Sequence, residues 1–173
     1  DMKMPESERE ARDLVRSKAK NVTELKQKLA MIGRNGLIIN GTGDDVEKIS
    51  KIKKRLEDLG YETSMIMVNT DDKVSSDRNI ERGQRGGRTK KKKIRKEKWD
   101  SVQNARPELA KLFGDNYNEV DNSEDLRTAP LEVRQAKEQE FLGLFKNIQK
   151  FISKPPKNDV SNQWIASEFQ KKD

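Results

Sequence analysis

The sequence contains neither cysteine nor histidine among its 173 residues. Without cysteine the chain has no disulfide framework, no thiolate zinc or iron–sulfur site and no thiol nucleophile. Without histidine it lacks the side chain that most often serves as a base near neutral pH and most often ligates transition metals. Acid–base chemistry would therefore fall to carboxylates, lysine or tyrosine, and we predict no metal site.

Long apolar runs are also lacking. No stretch approaches the roughly 18 residues that a membrane-spanning helix needs, and the opening residues do not have the pattern of a signal peptide. We therefore expect a soluble, cytoplasmic protein with no membrane partner. The chain begins with Asp1 rather than methionine, so we expect it to start partway through a longer gene product.

Charged residues, in contrast, make up 39% of the chain, which has a net charge of +7. The excess is concentrated in residues 78–98, which hold eleven lysines and arginines against two acidic residues. The body of the chain is therefore close to neutral and carries one cationic segment. Its length suits one core of ordinary size, and we predict a single α/β domain over residues 1–173, with C-terminal helices over 126–173.

The spacing of apolar residues predicts the secondary structure. Short apolar runs predict strands over 37–39, 61–68 and 117–120, and the first two, with the helix between them, predict a right-handed βαβ unit. The expected fold is an α/β three-layer sandwich with a short, mainly parallel sheet of about 3–4 strands. The predicted helices span 6–32, 44–59, 75–82, 90–113 with an interruption near Pro107, a long helix that opens at 128–130 and is ended by Pro155 and Pro156, and 159–169.

Several residues predict where the helices begin and end. Pro5, Glu6 and Glu8 favour the start of the first helix, and Gly33 and Gly36 favour its end. Asp44 and Glu47 have the spacing of a capping box at the start of the second helix.

The arginines of the cationic segment have a regular spacing. Arg78, Arg82 and Arg85 recur at intervals of four and three, so they share one helix face, and Gly83 begins a flexible loop that adds Arg88. Guanidinium groups bind phosphate oxygens with two parallel bonds, and like charges at this spacing disfavour a helix unless an anion lies among them. The pattern favours a phosphate site, and a solvated basic face remains the alternative.

Two further motifs are less specific. Residues 90–93 form a lysine run without interleaved aromatic residues, the nearest being Trp99, which indicates either a nonspecific surface for nucleic acid or a solvated helix face. Residues 36–42 have the glycine spacing of a phosphate-binding P-loop but lack the lysine before Thr42. The turn over 40–43 could let a phosphate approach the end of a strand, or could simply connect a strand to a helix.

The segments LIINGTGDD, KIKKRLEDLGYET, MIMVNT, RNIERGQRGGR and IRKEKWDSVQ together resemble the later part of P-loop kinases of the polynucleotide-kinase and zeta-toxin kind. The resemblance covers roughly residues 34–125 and is closest to kinase-like proteins of tailed phages, which would place the protein in the host cytoplasm. It implies a kinase that transfers the terminal phosphoryl group of ATP with Mg²⁺.

The resemblance also implies roles for individual residues. Arg78, Arg82 and Arg88 match the arginines of a lid that covers the nucleotide phosphates, with Arg82 and Arg88 as the catalytic pair that stabilises transferred charge. Thr42 matches a position near the phosphoryl acceptor. The phosphate- or nucleotide-binding residues expected in total are Arg78, Arg82, Arg85, Arg88, Thr42, Asn122 and Ser123, of which the last two would border the adenine.

The sequence departs from this family in two places. Lys90 and Lys91 stand where the family has Val-Pro, and the first strand, the Walker A loop and the catalytic base would lie upstream of residue 1. We therefore expect a fragment that is inactive alone and binds phosphate, sulfate or a nucleotide through its arginine lid, ATP and Mg²⁺ being implied for the full-length protein. An unpaired sheet edge would favour a homodimer.

Two alternatives stay open at this point. One is a nonenzymatic nucleic-acid-binding or assembly protein that uses residues 78–98. The other is that residues 1–173 are cut from a complete, active kinase.

Overall fold

The computed structural model describes residues 9–171. Pro5, Glu6 and Glu8, which favour the start of the first helix, lie outside this range. None of the described helices is both long enough and apolar enough to cross a membrane. The helices are α1 (Arg9–Ile32), α2 (Val46–Asp58), α3 (Asp72–Gln84), α4 (Lys92–Phe113), α5 (Leu131–Ser153) and α6 (Asp159–Gln170), and the strands are β1 (Met65–Asn69) and β2 (Tyr117–Asp121).

The two strands form a parallel pair that runs in register from Met65 opposite Tyr117 to Asn69 opposite Asp121. Parallel strands need a long crossover, and here the crossover contains α3 and α4. The α/β class and the strands predicted near 61–68 and 117–120 are confirmed, although β1 begins at Met65 rather than at Tyr61.

The strand predicted over 37–39 is wrong, and with it the βαβ unit. This segment is irregular, and the sheet of the described residues has two strands rather than three or four. An apolar run favours a strand, but a strand also needs a neighbour for its backbone N–H and C=O groups. Residues 37–39 find no such neighbour in the described part of the chain, and Ile38 is fully exposed.

The described residues fall into two compact units. The first comprises residues 9–41 and 76–91, and the second comprises residues 42–75 and 92–171. The first contains α1 and most of α3, whereas the second contains the sheet and the remaining helices. The single domain over 1–173 stays a prediction.

The core of the second unit lies between β1 and α4. Met67, Ala105 and Leu109 are buried there, and Leu109 is fully enclosed. Helix α2 adds Val46 and Ile49 to this cluster. Because side chains alternate along a strand, the Glu119 side chain faces α4, where Arg106 binds it, and Asn118 faces α5, where Asn147 binds it. Helices therefore flank both faces of β2.

Two helix ends differ from the prediction. Asp45, not Asp44, is the N-cap of α2, its carboxylate accepting a hydrogen bond from the Lys48 N–H at 2.9 Å, whereas Asp44 forms an ion pair with Lys98. Helix α1 ends at Ile32, as predicted, but the left-handed residue after it is Arg34 (φ 53°) rather than Gly33 or Gly36. The local pattern indicates the right region of each end, but the residue next to the predicted one takes the capping position.

Helix α4 also runs through Pro107 without the predicted interruption. Pro107 lacks an N–H group and so removes one backbone hydrogen bond. The buried residues Ala105 and Leu109 lie on either side of it. Packing of this face against the sheet therefore outweighs the local preference for a break.

Candidate functional site: an arginine loop and a strand-end cluster

Helix α3 ends in a glycine turn that reverses the chain. The Gly87 N–H donates to the Arg82 carbonyl at 2.8 Å, and the Gly86 N–H donates to the Gly83 carbonyl at 2.9 Å. Gly86 has φ 71°, a left-handed conformation in which a side chain is disfavoured. This pair of bonds is the Schellman motif, and it turns the chain back directly after Gln84.

The returning chain lies against the helix it has just left. A Cβ on Gly83 would lie 2.7 Å from Cγ2 of Thr89, and one on Gly87 would lie 2.7 Å from Cγ of Arg82. The sequence predicts a flexible loop here, but these glycines serve close packing. We call residues 78–90, the end of α3 together with this return, the arginine loop.

Asn79 closes the base of the arginine loop. Its side-chain oxygen accepts a hydrogen bond from the Lys90 N–H at 2.9 Å, and its side-chain NH₂ donates to the Lys90 carbonyl at 2.9 Å. Sequence reasoning missed Asn79, because nothing in the local pattern indicates a bond to a residue eleven positions later. The only signal in the sequence was an amide side chain that lies one helical turn before an arginine- and glycine-rich turn.

The arginine loop brings together the predicted lid residues. Arg82, Arg85 and Arg88 are exposed, and Arg78 is half-buried. Arg85 forms an exposed ion pair with Glu81 at 3.5 Å, whereas Arg82 and Arg88 form no ion pair with any other described residue. The loop therefore presents at least two guanidinium groups whose charge is not balanced within the described part of the chain.

The remainder of the cationic segment divides into two parts. Arg95, Lys96 and Lys98 of α4 are ion-paired, with Asp72, Asp100 and Asp44 respectively. Residues 90–93 are exposed and have no ion pair within the described residues. The uncompensated positive charge is therefore narrower than 78–98 and lies in residues 82–93.

The second group of predicted site residues lies in the other unit, where the parallel strands end. Ligands of open α/β sheets bind at this edge. The Asn122 N–H donates to the Asn69 carbonyl at 2.8 Å, and the Ser123 hydroxyl accepts a bond from the Asp71 N–H at 2.9 Å. Asn122 and Ser123 therefore join the loops that follow β1 and β2. Thr42 is exposed at the start of this unit.

Asp121 holds a negative charge at the same edge. The Ser123 hydroxyl, 2.5 Å from Oδ1 of Asp121, is the largest cause that lowers the pKa of Asp121, and the Lys137 ammonium at 3.6 Å adds to it. The pKa of Lys137 is raised, mainly because its ammonium donates to Glu140 at 2.7 Å. Asp121, Ser123, Lys137 and Glu140, together with Asn122, form the strand-end cluster, in which one ammonium pairs with two carboxylates.

Three side chains of α4, spaced four residues apart, hold the segment that follows β1. Sequence reasoning missed them as well, although a four-residue spacing of hydrogen-bonding side chains was visible. Together they fix the start of α3, from which the arginine loop continues. The pairs are Gln103 with the Asn69 side chain at 2.8 Å, Trp99 with the Thr70 carbonyl at 2.8 Å and Arg95 with the Asp72 carboxylate at 2.6 Å.

The arginine loop fits the phosphates of a nucleotide. Exposed guanidinium groups on one loop are suited to phosphate oxygens. The described residues contain no cluster of three or more acidic side chains that could hold a metal ion.

Comparison with known proteins gives one match. The profile of the family described as Zeta toxin, a P-loop kinase-like family, matches residues 2–128, which include the arginine loop and residues 121–123 of the strand-end cluster. No curated protein and no solved structure matches the chain. Since the family match covers well over half of the sequence, the chain belongs to the zeta toxin family.

Proposed function

We propose that this chain is the lid-bearing part of an ATP-dependent kinase, and that its arginine loop binds the phosphates of the nucleotide. The observation that carries the proposal is the arginine loop itself, which presents exposed Arg82, Arg85 and Arg88 on a hydrogen-bonded return. In phosphoryl transfer, guanidinium groups neutralise the charge that spreads over the transferred group. Family membership supports the same reaction class.

Each predicted residue has a place in this proposal. Arg82 and Arg88, which have no acidic partner among the described residues, are the catalytic pair that stabilises the transferred phosphoryl group. Arg78 and Arg85 add phosphate contacts. Thr42 as an acceptor-side residue, and Asn122 and Ser123 as residues that border the adenine, lie in the other unit and stay predictions from the family resemblance.

The chain alone binds phosphate groups in this proposal but does not transfer them. Its 173 residues contain no GxxxxGK[ST] sequence, so the backbone cradle and lysine that position the outer phosphates are not among them. ATP and Mg²⁺ are the cofactors that family membership suggests for full-length relatives. A cytoplasmic location and a homodimer that covers an exposed sheet edge stay predictions.

The test is a calorimetric titration of ATP into the full 173-residue chain and into the double variant Arg82→Ala/Arg88→Ala. Hydrogen bonds to charged groups contribute about 1.5–3 kcal/mol each, so each lost arginine should weaken ATP binding by about tenfold or more. The double variant should therefore show no measurable saturation where the wild type does.

The control removes the same charge elsewhere. Arg16 on α1 and Arg134 on α5 are exposed helix residues, so Arg16→Ala/Arg134→Ala changes the net charge equally and should bind ATP as the wild type does. Equal losses in both double variants would show a nonspecific charge effect, and unchanged binding in Arg82→Ala/Arg88→Ala would contradict the lid.

A second candidate function rests on the exposed lysines 90–93, which have no ion pair within the described residues. A nonenzymatic nucleic-acid-binding or assembly protein would use them as an electrostatic surface. Its affinity for single-stranded DNA would fall by about one log unit per log of salt for each phosphate contacted. Absence of DNA binding at low salt would remove this candidate.

A further inference from the structure

The geometry points to Asn79 as the positioning residue of the arginine loop. We propose that the two bonds from its side-chain amide to the Lys90 backbone hold Arg82, Arg85 and Arg88 in the arrangement that receives a polyphosphate. The inference rests on the proposed function and deepens it. Asn79 itself is not proposed to touch the nucleotide, so it acts through the backbone of the loop.

The first argument is the chemistry of the bond pair. Lys90 lies outside any helix or strand, so its N–H and C=O groups find no partner in regular secondary structure. The Asn79 side chain meets both groups at 2.9 Å, as a neighbouring strand would. An amide is the side-chain group that offers a donor and an acceptor side by side, and asparagine carries it on the shortest stem.

The second argument is the position of the two Asn79–Lys90 hydrogen bonds, which we call the clamp. Asn79 is one helical turn before Arg82 and Gly83, and Lys90 directly follows Thr89, which packs on Gly83. Arg88 lies between Gly87 and Thr89, both of which contact the end of α3. The segment that returns along α3 is therefore held at both ends, by the glycine turn where it begins and by Asn79 at Lys90.

The third argument is the cost of leaving this end open. Without the clamp, the residues between 79 and 90 keep the glycine turn but are no longer held at Lys90. A polyphosphate would then have to order them on binding, and this ordering costs conformational entropy. Inorganic phosphate, which is small enough for one or two guanidinium groups, needs little of this order. Loss of the clamp should thus weaken ATP more than phosphate.

The experiment uses the full chain with Asn79→Leu, which keeps the branched shape of the side chain and removes both bonds, and Asn79→Gln, which keeps the amide on a longer stem. Asn104→Ala, an exposed asparagine on α4, is the control. Three quantities are measured: the exchange rate of the Lys90 amide proton without ligand, the affinities for ATP and inorganic phosphate, and the thermal midpoint of unfolding.

We expect Asn79→Leu to expose the Lys90 amide to exchange and to weaken ATP binding by about tenfold, because the loop must then be ordered when the polyphosphate binds. Phosphate affinity should change less than threefold and the midpoint little. Asn79→Gln should recover part of both the protection and the ATP affinity, and Asn104→Ala should match the wild type.

Two results would overturn the inference while the proposed function stands. One is a Lys90 amide that stays protected in Asn79→Leu, and the other is a Lys90 amide that loses protection while ATP and phosphate affinities keep their wild-type ratio. If the wild type binds no ATP at all, the proposed function fails and the positioning role fails with it. A fall in both affinities that Asn79→Gln does not recover would show a general structural role instead.

Discussion

Ser123 has two bonding roles at the edge where the parallel strands end. Its hydroxyl accepts a hydrogen bond from the Asp71 N–H at 2.9 Å and donates to the Asp121 carboxylate at 2.5 Å. The first bond connects the loops after β1 and β2, and the second is the largest cause of the lowered pKa of Asp121. A residue proposed to border a nucleotide base thus also sets the charge beside it.

Replacing Ser123 with alanine should raise the pKa of Asp121 towards its ordinary value. A folded-state pKa below the unfolded one stabilises the protein above the unfolded pKa, and this stability is lost as pH falls through the folded pKa. The difference in unfolding free energy between wild type and Ser123→Ala should therefore be larger near neutral pH than below about pH 3. Carboxyl NMR titration and urea unfolding at several pH values measure the two effects.

The hydrogen bond from the Asp71 N–H to the Ser123 hydroxyl does not depend on pH. Its loss should therefore contribute a constant part of the difference in unfolding free energy between wild type and Ser123→Ala, and this part should remain in acid. A pKa of Asp121 that is identical in both proteins would contradict the assigned cause. Ser101→Ala is a suitable control, because Ser101 donates to the Glu97 backbone carbonyl within α4 and touches no carboxylate side chain in the described contacts.

At the scale of elements, the junction between α2 and α6 depends on one glycine. Gly60 follows α2 with φ 92° and is buried, and a Cβ there would lie 3.0 Å from Oγ and 3.1 Å from N of Ser161. Asn158, the N-cap of α6, donates to the Glu57 carbonyl at 2.8 Å. The same glycine therefore ends one helix and leaves room for the next to dock.

Gly60→Ala should lower the free energy of unfolding by about 2 kcal/mol or more. The left-handed conformation alone costs an L-residue about 1–2 kcal/mol, and the contact with Ser161 adds to it. Gly143→Ala is the matched control, because Gly143 lies exposed within α5 with nothing near its missing Cβ. That substitution should stabilise the protein by about 0.5–1 kcal/mol. Denaturant unfolding of both variants measures the contrast, and a similar loss in both would contradict it.

Elements whose signals are local were predictable from the sequence. The stripe of α1 and the strands near 61–68 and 117–120 have strong periodic or apolar patterns, and the structure contains them. Residues 37–39 have the same local signal but find no backbone partner in the described chain, and Pro107 has a breaking signal that core packing overrides. Pairing and packing involve residues far apart in sequence, so local patterns do not report them.

At the scale of the whole molecule, the net charge of +7 does not show which basic residues are paired with carboxylates, and the contacts do. Three basic residues of α4 are balanced by carboxylates that lie farther away in sequence: Arg95 by Asp72, Lys98 by Asp44 and Arg106 by Glu119. Within the cationic segment, the basic residues without an ion pair to another described residue lie in residues 82–93. The arginine spacing of the candidate site was therefore predictable, whereas its boundaries and its Asn79 clamp depend on the fold.

The central claim is that ATP binds at the arginine loop. The most direct measurement is an NMR titration of ATP into the full chain that follows the side-chain Nε–H signals of its arginines. The account predicts saturable shifts at Arg82, Arg85 and Arg88, with Arg16 and Arg134 unchanged. Shifts spread evenly over all arginines, or absent from Arg82 and Arg88 at saturating ATP, would contradict it.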